Sequence, residues 1–147
     1  MSPGESSIVY HLRAPAIRRR ELSRFAARLS TQLAGGRPFS CLLTGDAEMS
    51  KLQRAYRNKQ ATTDVLSFPS EAPGWLGDLA ISYDRARAQA REHGHTIQTE
   101  VSILMLHGVL HLLGMDHERD SGEMAEREKQ LRKRFGLPGG LIERSAA

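Results

Sequence analysis

The chain has 147 residues, with 21 Lys and Arg against 17 Asp and Glu, 39% apolar residues and a single cysteine. That length suits one domain with a substantial core, and one cysteine excludes an internal disulfide framework. A net charge of +4 permits a polyanionic partner without requiring one, and the longest apolar stretch, Val101 to Met115, is too short to span a bilayer.

The first residues, Met1 to Ser7, lack a basic stretch leading into an apolar one, so no secretory signal is expected and the protein reads as soluble and cytoplasmic. Ile8, Tyr10 and Leu12 alternate with Val9, His11 and Arg13, a half-buried strand stopped by Pro15, with His11 toward solvent or at an edge. From Pro15 to Ala34 the period becomes helical: Leu22, Phe25, Ala26, Leu29 and Leu33 share one face, and Arg20, Arg24 and Arg28 lie opposite. A basic face of this kind reads first as a solvated one, and becomes a phosphate contact if the chain handles RNA. Gly35 and Gly36 close the helix, and Pro38 to Thr44 alternates again, with Cys41 as a small core residue. Asp46 is placed to cap a helix whose buried stripe is Met49, Leu52, Ala55 and Tyr56, ending near Asn58.

The polar stretch Arg57 to Asp64 leads into a short strand, Val65 to Phe68, stopped by Pro69. A Pro/Gly-rich loop follows with the only tryptophan, Trp75, suited to stacking on a base but more often an anchor for its own loop. Gly77 to Ser82 predicts a fourth strand, and Asp84 to Glu92 a helix ended by His93 and Gly94. A further helix runs from about Ile97 to Leu113. Asp120 and Glu123 form a capping box for a last helix to about Phe135, with Met124, Leu131 and Phe135 inward. From Gly136 to Ala147 the composition predicts a frayed tail of one 147-residue domain. The order predicts an α/β (α+β) fold, a small mixed sheet of about four strands packed with about five helices, its third and fourth strands antiparallel.

Three of the six histidines fall within the eleven residues from His107 to His117. His107 and His111, four apart, share one helical face with Cβ atoms roughly 5–6 Å from each other, so both imidazoles reach one ion. Gly114 sits where the helix would end and can adopt positive φ, turning the chain so that His117 closes the set. Three neutral ligands leave a fourth position open, the mark of a catalytic rather than a structural zinc. The spacing matches the metzincin proteases, H-E-x-x-H-x-x-G-x-x-H, except that Gly108 stands where their general-base glutamate should be. The apolar residues around the pair, Val101 through Leu113, leave almost no polar face, so the helix should be buried on most sides with the zinc site at its end.

Three stretches resemble the YbeY endoribonucleases, or rRNA maturation factors: YRNKQATTDVLSFP (Tyr56–Pro69), GDLAIS (Gly77–Ser82) and HGVLHLLGMDH (His107–His117). The last matches the family pattern H-G-x-L-H-L-x-G-x-D-H at every fixed position, Gly108 included. Asn58 and Ala61-Thr62 depart from residues common in the family, which bears on loop shape. The resemblance implies one zinc ion per chain held by His107, His111 and His117, and a functional arginine at Arg57. It implies hydrolysis of single-stranded RNA, maturation of small-subunit rRNA and a part in ribosome quality control, with the rRNA precursor, the small ribosomal subunit, ribosomal proteins or an assembly GTPase as partners, and neither DNA nor membrane.

In such a site a guanidinium offers a planar fork for phosphate oxygens, the role given to Arg57, whose alternative is an ordinary helix-end arginine. Asp116 is placed to orient an imidazole or to form a turn. Two other readings stand beside the nuclease: a zinc peptidase, opposed by Gly108, and a non-catalytic RNA-binding assembly factor using Arg20, Arg24 and Arg28. A three-histidine set also accepts ions other than zinc.

Overall fold

The structure, a computed structural model, describes residues 5–56, 64–116 and 119–138. Its elements are β1 (Ser7–Tyr10), α1 (Arg19–Leu33), β2 (Phe39–Thr44), α2 (Asp46–Tyr56), β3 (Val65–Pro69), β4 (Gly77–Ser82), α3 (Tyr83–His93), α4 (Ile97–Leu112) and α5 (Glu123–Phe135). The strands form one sheet in the order β1-β2-β4-β3, with β1, β2 and β4 parallel and β3 antiparallel to β4. The mixed α/β architecture is therefore the one the sequence predicts. Proline at the end of β3 is tolerated because that strand lies at the sheet's edge, where an absent N–H interrupts no ladder.

The sheet's two faces are covered unequally. On one face Phe39, Cys41, Leu43, Leu79 and Ile81 join α1, α3, α4 and α5 in the main core. On the other, Leu66 and Ala80 meet Met49 of α2 in a much smaller cluster. This corrects the expected stripe of α2: Met49 is buried and Leu52 half-buried, but Ala55 and Tyr56 are exposed. The sheet face beneath α2 is too polar to bury a full helical stripe, and Tyr56 instead lays its ring 5.0 Å from that of Phe68. Asp46 opens α2 as its first residue rather than capping it, a position where a carboxylate suits the helix dipole. The expected end near Asn58 lies outside the described residues.

Two other boundaries shift. α1 begins at Arg19, not Pro15, because the intervening residues form a turn in which Ile17 N–H donates to the Ala14 carbonyl at 3.0 Å and both side chains are buried. At the far end, Gly136 closes α5 in the left-handed conformation, φ 69°, and Leu137 N–H donates to the Arg132 carbonyl at 2.8 Å. Leu137 packs on the core, so order continues past the residue where the composition predicted fraying; residues 139–147 lie outside the described set. At the start of α5 the predicted capping box is not the one formed: Gly122 stands at the N-cap without a side-chain cap, Asp120 accepts from the N–H groups of Gly122 and Met124, each at 2.9 Å, and Glu123 accepts from Ser121 N–H at 2.6 Å. Trp75 is half-buried and its Nε1–H donates to Asp78 at 3.3 Å, the loop-anchor role.

α4 is the element that positions the site. Every residue from Glu100 to Leu110 is buried, because the helix packs against β3, β4, α1, α3 and α5. The Thr96 hydroxyl caps it by accepting from Thr99 N–H at 3.0 Å. Close approach to the sheet is made possible at Gly108, where an added Cβ would lie 2.8 Å from a Leu79 methyl and 3.2 Å from one of Val65. No helix among the described residues is long and apolar enough to cross a membrane.

Candidate metal centre

His107 and His111 lie one turn apart at the C-terminal end of α4, with ring centroids 4.8 Å apart and planes at 72°. Their Nε2 atoms converge to 3.2 Å. His107 is 5% exposed, whereas His111 is half-buried and reaches the wall of an open cleft. Past them Gly114 adopts φ 92°, and Met115 N–H donates to the Leu110 carbonyl at 3.1 Å. This left-handed turn ends the helix as the spacing predicts and sets Gly114, Met115 and Asp116 along the cleft wall.

Behind His107 stands Glu128 of α5, its Oε2 2.9 Å from His107 Nδ1, with side-chain exposures of 6% for the histidine and 3% for the glutamate. A carboxylate only accepts, so Nδ1 carries a proton toward Glu128 and the ring is held with Nε2 toward His111. That is the arrangement in which a ligating histidine is oriented by a carboxylate behind it. Two nitrogens at about 2.0–2.1 Å from one ion in a tetrahedral shell stand about 3.3 Å apart, close to the separation found here. The donor set therefore fits a metal such as zinc.

His117 and Arg57 lie outside the described residues, and so does any contact they make. No group of three metal-binding side chains occurs among the described residues. Asp116 is placed as a turn residue: its carbonyl accepts from the backbone N–H of Arg119 and Asp120, each at 3.1 Å, and its carboxylate is 3.5 Å from Arg119 Nε.

Glu128 is the site residue that motif reading missed. Its signal was the stripe of α5: Glu128 falls four residues after Met124 and three before Leu131, so an acidic side chain occupies an inward position of an amphipathic helix. Ser67 was also missed. From β3 its hydroxyl donates to the Gly108 carbonyl at 3.2 Å, tying the sheet's edge to the middle of α4 beside the histidines.

The open cleft beside His111 has a volume of about 700 Å³ and is lined by Pro69 at the end of β3, by Gly114 to Asp116, and by Arg119 to Glu123 except Gly122. Gly108 does not face it. The direction a side chain would take there is filled by Leu79 and Val65, so a metzincin-type glutamate at this position would point into the sheet and could not serve as a base in the cleft.

A family model described as Endoribonuclease YbeY matches residues 16–136. The Endoribonuclease YbeY of Solibacter usitatus is 63% identical over 145 residues, covering 98% of both chains. That of Koribacter versatilis is 45% identical over 139 residues, covering 94% of this chain and 91% of the relative. Among solved structures, the solution structure of TM1509 from Thermotoga maritima aligns with a TM-score of 0.59 at 24% identity, over 84% of this chain and 85% of that one, a likeness of fold. With the family pattern running through the sheet, α4 and α5, the chain belongs to the YbeY family.

Proposed function

We propose that the protein is a zinc-dependent endoribonuclease that cuts single-stranded RNA, acting in the cytoplasm on rRNA precursors of the small ribosomal subunit. The observation that carries this reading is the convergence of the His107 and His111 Nε2 atoms at 3.2 Å, backed by Glu128 and opening on the cleft. The names of the relatives supply the reaction class, and the resemblance supplies His117 as third ligand and Arg57 as phosphate contact.

The roles of the residues follow from their chemistry. Glu128 fixes the His107 tautomer and ring orientation, keeping Nε2 available as a ligand atom. His111, at the cleft wall, lies where substrate enters. The metal held by this set, when bound, supplies a nucleophile from water near neutral pH and polarises a phosphoryl oxygen. Arg57 neutralises charge developing on the phosphate with its planar fork of donors. No glutamate base is needed at position 108, and none fits there.

The test is cleavage of single-stranded rRNA by metal-analysed protein beside a His111→Ala variant purified identically. Wild type should cut and contain about one zinc per chain, a catalytic stoichiometry, while the variant should lose both. Equal cutting by both proteins, or no cutting by fully metal-loaded wild type, overturns the reading. Arg57→Ala should keep its metal and lose cleavage; loss of the metal would make that arginine structural.

A further inference from the structure

We propose that the exposed faces of α1 and α5 form one basic ridge that binds the phosphate backbone of single-stranded RNA away from the metal centre. The inference rests on the nuclease reading for its choice of ligand. Its evidence is a joint that the sequence does not reveal.

Arg20, Arg24 and Arg28 recur every fourth residue along α1, all exposed, over about 12 Å of helix. At the far end of the chain the last turn of α5 carries Arg132, Lys133 and Arg134. The two basic stretches are a hundred residues apart in sequence and meet at Phe135, whose ring lies 5.5 Å from Phe25 in an edge-to-face contact and 4.9 Å beneath the Arg28 guanidinium. α1 has no acidic residue after Glu21, and α5 none after Glu128. Glu21 is already 3.5 Å from Arg18. Arg24, Arg28, Lys133 and Arg134 have no acidic partner among the described residues.

Charge is therefore sorted along α5. Its first turn, at the cleft, bears Glu123 and Glu126; its last turn, about 10 Å beyond Glu128, is wholly basic. The described wall of the cleft carries three carboxylates, Asp116, Asp120 and Glu123, against one cation, Arg119, which lies 3.5 Å from Asp116, so cationic groups elsewhere on the molecule add to what holds a polyanionic substrate. A cationic ridge within reach of a few nucleotides supplies them.

The test is fluorescence anisotropy with a labelled single-stranded RNA of about 20 nucleotides, long enough to span ridge and site, titrated across a salt series with the RNA checked for integrity. Two double variants of equal charge change are compared: Arg24→Glu with Lys133→Glu on the ridge, and Lys51→Glu with Arg91→Glu on α2 and α3. Thermal unfolding of each verifies the fold. The ridge variant should bind about tenfold more weakly and lose about 1.4 from the slope of log affinity against log salt, two phosphate contacts' worth; the other should change less than about twofold. Equal weakening by both variants, or none by either, overturns the ridge. So does a wild type that binds poly-glutamate or duplex RNA through these residues and ignores the single strand, or one that binds no RNA. Cleavage without ridge dependence defeats this inference and leaves the nuclease standing, whereas ridge-dependent binding without cleavage does the reverse.

Discussion

Two histidine–glutamate pairs in this molecule have nearly the same geometry and different surroundings. His11 Nδ1 lies 2.8 Å from Glu48, with the side chains 48% and 39% exposed. His107 Nδ1 lies 2.9 Å from Glu128, and those side chains are 6% and 3% exposed. Distance alone would rank the pairs as equals. Burial separates them: the exposed pair exchanges one solvated arrangement for another, whereas the buried one fixes a tautomer, and a partner removed from it leaves a polar group with no water to replace it. The largest expected effect follows. His107→Ala should destabilise the fold by about 1.5–3 kcal/mol, the scale of a buried hydrogen bond to a charged group, while His11→Ala should cost about 0.2–1 kcal/mol. Urea unfolding of both variants checks this, and similar costs would mean that burial does not set the value of the pair.

The carboxylate's effect on the site is sharpened by Glu128→Gln, which keeps shape and weakens the acceptor. Metal affinity should fall about 10–100-fold with secondary structure retained, since outer carboxylates tune a ligand's basicity and orientation. Competition with a chromophoric chelator measures it. Glu48→Gln should leave metal affinity untouched.

The difference between the pairs also marks what was legible in the chain. Helical and strand periods gave the element order and sheet class because the core-facing residues of α1, β2, β4 and α4 are apolar at the right spacing. They overstated α2, since Ala55 and Tyr56 look like a stripe only if the sheet face beneath can receive them. His107 and His111 were legible because both lie on one helix, where sequence spacing is spatial spacing. Glu128 was not, since its partner is 21 residues away on another helix, and only its place between Met124 and Leu131 betrayed it. The ridge was illegible for the same reason: packing at Phe135 joins two helices that the sequence separates.

Gly108 extends the contrast to a neighbour of the buried pair. The motif makes it look like a missing base, but the structure shows a packing requirement: a methyl there meets Leu79 at 2.8 Å. Gly108→Ala should cost about 1–3 kcal/mol by overpacking, visible as a lowered Tm. Gly108→Glu should confer no casein hydrolysis; acquired peptidase activity would mean that this side chain reaches the cleft after all.

The smallest effect belongs to the exposed pair and is read through pH. Glu48 is held below the ordinary carboxylate range first by the hydrogen bond from the Thr44 hydroxyl, 2.6 Å from the same oxygen, and next by His11. A carboxylate whose pKa is lower folded than unfolded binds fewer protons in the native state. Its contribution is therefore complete above the unfolded value near 4.5 and lost as pH falls through the depressed folded value. With the group largely solvated, that contribution stays within about 0.2–1 kcal/mol. Thr44→Val removes the largest single cause, the hydroxyl's hydrogen bond, and His11→Ala removes both the hydrogen bond and the charge of the imidazole, so the acid limb of the stability curve should flatten in each. Urea midpoints between pH 3 and 6, about the range where an unfolded glutamate titrates, distinguish the two. If His11→Ala flattens the limb more, the imidazole outweighs the hydroxyl, and the exposed pair resembles the buried one more than its solvation implies.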